Sequence, residues 1–314
     1  MPLTGRWPSV SVVVPTRNRP ALLQRALESI LAQSYPGTIE CLAVFDGCQP
    51  ELPAFAGRPG RTVRACVNDR TSGLTGTRNT GVLAASGELV AFCDDDDEWL
   101  PDKLLLQVEA LEQVPAASAA TCGIELDTGR RRIVRVLDRD RVTFSDLLRS
   151  RLMEAHASTF LVGRRDLLER IGLMDEKLPG SYLEDYDWLL RATRVGDLVV
   201  VRHALVRVHW QRAGTSGPAQ MSAEASTLRP AALRYLLEKH PELESDRRGL
   251  SRIYGQIALA YAAAGERRQA RGWARSALRV SPRQSRGYLA LLSGVGLVHP
   301  NTWRRLANVF GKGI

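Results

Sequence analysis

Glu88-Leu89-Val90-Ala91-Phe92-Cys93-Asp94-Asp95-Asp96-Asp97-Glu98-Trp99-Leu100-Pro101 decides the reading of this chain, because an apolar run ends in four consecutive aspartates. Residues 88–93 read as a buried strand that delivers a focused negative charge to its own carboxyl end. In an open α/β sheet that end is where ligands bind, and clustered carboxylates there are costly unless a cation neutralises them. Hard oxygen ligands suit Mg2+ or Mn2+, which keep several waters and bridge to phosphate oxygens of a bound substrate. The plainer alternative is a solvated acidic turn capping the next helix, with Asp102 after Pro101, and Asp97, supplying the cap. Four carboxylates exceed what a cap requires, so the run points to a metal-phosphate site.

Outward from this stretch, strand and helix alternate. Val10-Ser11-Val12-Val13-Val14 is β-branched and ends at Pro15, as a first parallel strand does before a functional loop. Asn18 is the expected N-cap of a helix with Pro20 in its first turn. Leu23, Ala26, Leu27, Ile30 and Leu31 recur at helical spacing until Tyr35-Pro36-Gly37 stops it. Strands are expected over 39–45, closing at Asp46-Gly47, and over 62–67. Helices are expected over 73–86, bearing Arg78 and Asn79, and over 102–113. The pattern argues for an α/β fold with a doubly wound, mostly parallel sheet and sites at the strand ends. Further on, 118–126 and 132–137 read as a hairpin around Asp127-Thr128-Gly129, and 158–162 as another short strand. A short helix over 165–171 closes at Gly172. An acid-rich helix start follows at Tyr182-Leu183-Glu184-Asp185-Tyr186-Asp187-Trp188, and then an apolar strand over 198–208.

Composition sets limits on the rest. At 314 residues the chain is long enough for one large domain and an appendage. No segment approaches the roughly 18 uninterrupted apolar residues of a membrane span, and the start lacks an apolar signal region, so a cytoplasmic location is expected. Five scattered cysteines, Cys41, Cys48, Cys66, Cys93 and Cys122, show no C-x-x-C pair and indicate neither a disulfide framework nor a zinc site. The net charge of +9 is uneven: residues 225–314 hold 16 Lys+Arg against 5 Asp+Glu, leaving residues 1–224 with 27 against 29. A basic C-terminal region could meet an anionic membrane, nucleic acid or an acidic partner. Its arginines are spread around helices without stacking aromatics, which argues against nucleic acid. Residues 298–310 mix Trp303, Phe310 and Leu306 with basic residues, as an interfacial helix at the inner face of a membrane does; a packed terminal helix is the alternative.

Several ordered motifs over about residues 9–212 resemble the family-two inverting glycosyltransferases of the GT-A fold. Val12-Val13-Val14-Pro15-Thr16-Arg17-Asn18-Arg19-Pro20 resembles their opening, and Ser29-Ile30-Leu31-Ala32-Gln33-Ser34-Tyr35-Pro36 the end of their first helix. Phe45-Asp46-Gly47 is similar to the Asp-Asp-Gly closing their second strand, with Phe45 replacing the first aspartate. Gly76-Thr77-Arg78-Asn79-Thr80-Gly81 resembles Ala-Arg-Asn-x-Gly, the four aspartates resemble the DXD region, and Glu184-Asp185 resembles the family's Glu-Asp motif. The resemblance implies transfer of a sugar from a nucleotide diphosphate donor to an acceptor hydroxyl, with inversion, in polysaccharide or glycoconjugate synthesis on a glycan or lipid-linked acceptor.

By the same resemblance Asp96 would hold Mn2+ or Mg2+ across the two phosphates, with His209 as a further metal or diphosphate contact. Asp185, beside Glu184, would be the catalytic base, since an acceptor hydroxyl is a poor nucleophile until a carboxylate takes its proton. Its alternative is a helix-start carboxylate facing the macrodipole. Pro15, Thr16, Arg17, Asp46, Arg78, Asp94 and Asp95 would form the donor nucleotide site. A carboxylate at Asp46 suits the ring N–H of uracil, which favours UDP over GDP. Asp46 before Gly47 could instead only make a turn, and Arg78 could only pair with the acidic run. His156, Trp188 and Asp97 are expected to border the acceptor or sugar, although Trp188 could simply pack the core. These expectations divide the chain into a catalytic domain, 1–224, and a basic helical region, 225–314. Tyr254, Ile257, Ala258, Tyr261, Gly265, Ala270, Ala277 and Pro282 within 251–284 fall on the spacing of a single tetratricopeptide repeat. The competing function is an inactive nucleotide-binding scaffold that uses those helices to hold a partner.

Overall fold

The computed structural model describes residues 5–55, 57–209 and 219–294, so the expectation for 298–310 lies outside the described residues. The chain opens with strand β1 (Val10–Thr16), whose β-branched residues are all buried, and helix α1 (Pro20–Leu31). Leu23, Ala26, Leu27, Ile30 and Leu31 form the buried face of α1 at the predicted spacing. The N-cap is Arg19 and not Asn18, which instead turns the chain with a left-handed φ of 54°. Asn tolerates that conformation better than most residues, so its side chain serves the turn and not the helix. Next come β2 (Ile39–Phe45), β3 (Arg61–Val67), α2 (Leu74–Ala84) and β4 (Leu89–Phe92). β2, β1 and β4 lie side by side and parallel, with Thr16 opposite Phe45 and Val13 opposite Phe92. The loops after β2, β1 and β4 therefore emerge at one edge, where Asp46, Arg17 to Arg19 and the aspartates meet.

The helix α2 packs unusually close to the sheet. A Cβ on Gly81 would sit 2.3 Å from Val13 Cγ1, and one on Gly76 1.9 Å from the Thr71 carbonyl. No side chain fits at either position, and the close approach buries Arg78 between them.

After the aspartates the fold departs from alternation. Asp97–Trp99 forms β5, a three-residue strand that pairs antiparallel with Val206, Arg207 and Val208 of the last strand. Helix α3 (Lys103–Gln113) follows, and Asp102 occupies its N-cap position without a side-chain hydrogen bond. The capping acceptor is Gln33, whose Oε1 takes the Leu104 N–H at 3.1 Å while its Nε2 donates to the Leu100 carbonyl at 2.8 Å. Neither Asp102 nor Asp97 is spent on the helix.

The remaining elements are β6 (Ala119–Asp127), β7 (Arg132–Arg135), β8 (Arg141–Val142), α4 (Phe144–Arg149), β9 (Leu161–Gly163) and α5 (Arg164–Asp166). α5 runs on into a π-helical turn, Leu167–Ile171, closed by Gly172 at φ 86°. Then come α6 (Glu184–Val195) and β10 (Leu198–His209). The β6–β7 hairpin forms around residues 127–129 as expected. The strand expected over 158–162 starts later, because Ala157–Thr159 makes a 3-10 turn. Strand order is β3-β2-β1-β4-β9-β6-β10-β5, with β7 on β6 and β8 on β10. The β3-β2-β1-β4 half is parallel, while β9 runs antiparallel to both β4 and β6. One apolar cluster of the core joins α1, β1, β2, α3, β6 and β10.

Contacts divide the chain into two units, the first of which comprises residues 1–144, 152–176 and 184–212. The second is 145–151, 177–183 and 213–314, so two short internal segments group with the C-terminal helices, and the division after residue 212 falls earlier than the expected 224. Within the second unit lie α7 (Ala219–Lys239), α8 (Arg247–Ala263), α9 (Arg267–Val280) and α10 (Ser285–Gly294). Asp246 caps α8 by accepting the Gly249 N–H at 2.7 Å. A turn at Gly265, φ 81°, joins α8 to α9, and Ala258, Leu259, Ala274 and Ala290 pack where α8, α9 and α10 meet. Tyr254 and Trp273 cross edge to face at 5.2 Å between ring centroids. No helix among the described residues is long and apolar enough to cross a membrane.

Candidate active site

The loop after β1 reaches both of its neighbours. Arg17 extends toward the β2 side, with Nη1 3.8 Å from Asp46 Oδ2. Arg19 extends toward the β4 side, where its Nη1 lies 3.2 Å from Asp95 Oδ1 and 3.5 Å from Asp96 Oδ2. Pro15 and Thr16 end the strand itself, and the Thr16 hydroxyl donates to Asp95 Oδ2 at 2.9 Å.

On the β2 side, Asp46 is nearly buried and organises the loop between β3 and α2. It accepts from Asn68 Nδ2 at 2.8 Å, the Gly73 N–H at 3.0 Å and the Ser72 hydroxyl at 3.2 Å. Asp46 thus makes more than a turn before Gly47.

On the β4 side each aspartate goes to different partners. Asp94 Oδ1 takes Arg78 Nη2 at 2.5 Å, and its backbone N–H donates to the Ser158 hydroxyl at 3.0 Å. That hydroxyl donates in turn to Asp97 Oδ2 at 2.6 Å. Asp96 keeps its side chain half exposed, and its carbonyl accepts Arg25 Nη2 at 3.1 Å. Burial, ahead of any neighbour's charge, pushes the Asp95 carboxyl up to about 6 and, more strongly, raises Asp97. Repulsion from Asp94 and Asp96 adds to these shifts. The cluster is therefore short of positive charge, which is the condition a bound cation relieves.

Arg78 is fully buried, with Nη1 on Glu184 Oε1 at 2.6 Å and Nη2 on Asp94. Burial alone would lower the guanidinium, but Asp94 and Glu184 outweigh it and hold the charge in place. Arg78 pairs with the acidic run, the plainer of the two expectations for it, and ties that run to the first turn of α6. Asp185, the next residue, is buried, and its Oδ1 accepts the Tyr186 N–H at 2.7 Å.

Of the residues expected to bind metal, the structure places Asp96 against Arg19 and His209 against Glu98. His209 Nε2 lies 2.6 Å from Glu98 Oε1, and Glu98 Oε1 also lies 2.9 Å from Arg25 Nε as an ion pair. The group that comes together is Asp94, Asp97 and His156, whose ligand atoms lie within 4.8 Å of one another. Two carboxylates and an imidazole, with Asp96 alongside in sequence and accessible, form a donor set that Mn2+ or Mg2+ accepts. Trp188 packs in the core. It is fully buried and stacks on Phe160 at 5.2 Å, so the ring supports α6 from behind.

Sequence reasoning gave no role to Arg19, Arg25 or Glu176. Arg19 and Arg25 carried a signal, two arginines on the strand-loop-helix next to the acidic run. Glu176 carried none. Its carboxylate accepts Arg70 Nε at 2.5 Å, the Thr71 hydroxyl at 2.6 Å and Asn79 Nδ2 at 2.7 Å, all from more than 90 residues away in sequence. Asn79 also exchanges hydrogen bonds with the Met174 backbone, Nδ2 to O at 2.8 Å and N–H to Oδ1 at 2.9 Å.

The sequence over residues 11–172 matches Glycosyl transferase family 2. The uncharacterized protein y4gI of Sinorhizobium fredii is 32% identical over 244 residues, covering 74% of this chain and 25% of its own. The chain thus spans about a quarter of the length of that relative. Among solved structures, S. aureus TarS 1-349 in complex with UDP-GlcNAc is similar with a TM-score of 0.58 at 14% identity, covering 97% of this chain and 92% of that one. The mannosyltransferase PcManGT from Pyrobaculum calidifontis, in complex with GDP-Man and Mn2+, is similar with a TM-score of 0.54 at 18% identity, covering 99% and 90%. At these identities the likeness is one of fold.

Proposed function

The chain belongs to glycosyl transferase family 2, and from that premise we propose that it moves a sugar from a nucleoside diphosphate donor, UDP before GDP, to an acceptor hydroxyl with inversion. The acceptor is a glycan or lipid-linked glycan of polysaccharide or glycoconjugate assembly. The observation that carries this reading is the buried Arg78 fork, because it binds the acidic run and the Glu184-Asp185 turn into one rigid unit. An enzyme needs its leaving-group site and its base held in register.

In this reading Asp185 takes the proton of the acceptor hydroxyl as that oxygen attacks the anomeric carbon. Its carboxylate is oriented by the Tyr186 N–H. Glu184 fixes the helix start through Arg78. Asp46 receives the ring N–H of the base, while Pro15, Thr16 and Arg17 line the nucleotide side. Asp94, Asp95 and Asp96 face the diphosphate, with Asp94, Asp96, Asp97 and His156 as the groups that would hold Mn2+ or Mg2+. Such a cation neutralises the charge that builds on the departing diphosphate. His209 supports this edge through Glu98.

Support comes from family membership, from the charge deficit of the aspartates and from neighbours of the same fold solved with UDP-GlcNAc and with GDP-Man and Mn2+. The test is turnover of UDP-sugars with Mn2+ by the protein and by its Asp185→Asn variant. Loss of the base should cost on the order of 10²–10⁴ in kcat with little change in UDP binding. Full activity in the variant would remove Asp185 from the mechanism.

A further inference from the structure

α9 carries a surface that sugar transfer does not use. At about 100° per residue, Arg267, Arg268, Arg271, Arg275 and Arg279 fall within an arc of about 120° of the helix. All five are exposed, and the buried face of α9 is the separate stripe Ala270, Ala274 and Ala277. No carboxylate pairs with any of the five guanidiniums among the described residues. Glu266 is the only acidic residue from 265 to 294, against seven arginines. The spacing is regular: Arg267, Arg271, Arg275 and Arg279 follow at four-residue steps, about 6 Å apart along a helix about 21 Å long. Like charges at that spacing repel one another within the free protein and are relieved by an external anionic surface.

The neighbouring apolar groups show which kind of surface. Tyr288 and Leu292 stand one helical turn apart on α10 and are 50% and 40% exposed. The Tyr288 hydroxyl donates to the Pro282 carbonyl at 2.9 Å, which ties the ring to the turn that follows α9, between Arg279 and Arg283 in the sequence. Exposed apolar side chains next to a basic helical face are the composition of a membrane-surface element. No aromatic residue stands within the stripe to stack a base, and a single exposed helix face forms no channel to follow a nucleic-acid strand.

We propose that the arginine face of α9, with Tyr288 and Leu292 at its edge, docks on an anionic phospholipid bilayer. This goes beyond the sugar-transfer reading and does not depend on it.

The experiment is co-sedimentation of the full chain with phosphatidylcholine vesicles, with and without phosphatidylglycerol, over a range of salt. The wild type should bind the anionic vesicles, weaken as salt rises, and ignore neutral ones. The triple variant Arg268→Gln, Arg271→Gln, Arg275→Gln should bind roughly a hundredfold more weakly, from about a fivefold contribution per basic residue at the surface. The corresponding triple lysine variant should retain binding. Unchanged vesicle binding in the glutamine variant would place the contact elsewhere on the chain and overturn the proposal. So would absence of vesicle binding in the wild type, including the case where heparin or DNA is bound instead. UDP and Mn2+ binding, measured on the same variant, should be unaltered, so a failure of the sugar-transfer reading is seen separately.

Discussion

Arginine is used in opposite ways around the candidate active site and on α9. Around the candidate active site each guanidinium discussed above meets carboxylates: Arg78 bridges Asp94 and Glu184, Arg19 bridges Asp95 and Asp96, and Arg25 holds Glu98. Behind them, Arg191 grips the fully buried Asp187 on α6 at 2.9 Å. On α9 five arginines share one face and pair with no carboxylate among the described residues. Buried pairing fixes geometry at the cost of desolvation, whereas an exposed unpaired row fixes nothing within the protein and leaves its charge available. The first arrangement suits a site that must hold reacting groups in register. The second suits a surface that waits for an outside partner.

The largest effect should come from breaking the buried fork. Arg78→Met leaves Asp94 and Glu184 facing each other without a counter-charge, which should cost about 3–5 kcal/mol of stability in denaturant unfolding. Turnover should be lost in the fraction that folds. A variant as stable as the wild type would mean that the fork is ornamental.

A smaller effect is expected at Glu176. Although partial burial alone would raise its carboxyl, hydrogen bonds from Thr71, Asn79 and Arg70 hold it down at about 2. A depressed carboxylate contributes stability that is present above the ordinary value of 4.5 and is lost as pH falls toward 2. Glu176→Gln should therefore lower stability by about 1–3 kcal/mol at neutral pH. The gap between variant and wild type should close over that acid window. A gap independent of pH would show that the side chain acts by shape and not by charge.

The smallest effect sharpens the contrast from the other side. Replacing Arg268, Arg271 and Arg275 by glutamine should change unfolding stability by no more than about 0.5 kcal/mol, because these side chains support nothing in the fold. A larger loss would mean that α9 is held by contacts its exposure conceals.

How much of this was legible in the sequence follows the same division between local and distant causes. The parallel strands and α1 were readable because β-branched runs and a four-residue apolar repeat are local signals. β5 was not, since Asp97-Glu98-Trp99 has no strand pattern and exists because Val206 lies opposite Trp99. The caps were misjudged for a similar reason. Asn18 and Asp102 have the right chemistry, but a left-handed turn uses one and Gln33, 71 residues from Leu104, displaces the other. Which charged residues the site contains could be read from the motifs. How they pair could not, because Arg78 meets partners 16 and 106 residues away and Glu176 gathers donors from a loop and a helix that only the fold brings near. His156, proposed at first for the acceptor side, lies with Asp94 and Asp97 for the same reason.

The central claim is that the aspartates after β4 hold a divalent cation that grips the donor diphosphate. Calorimetric titration of UDP into the protein, with Mn2+ and with EDTA, tests it most directly, with Asp96→Ala alongside. The account predicts UDP binding that is at least tenfold tighter with Mn2+, a coupling of about 1.4 kcal/mol or more, and that the gain is lost in the variant. Equal UDP affinity with metal and with chelator would contradict it.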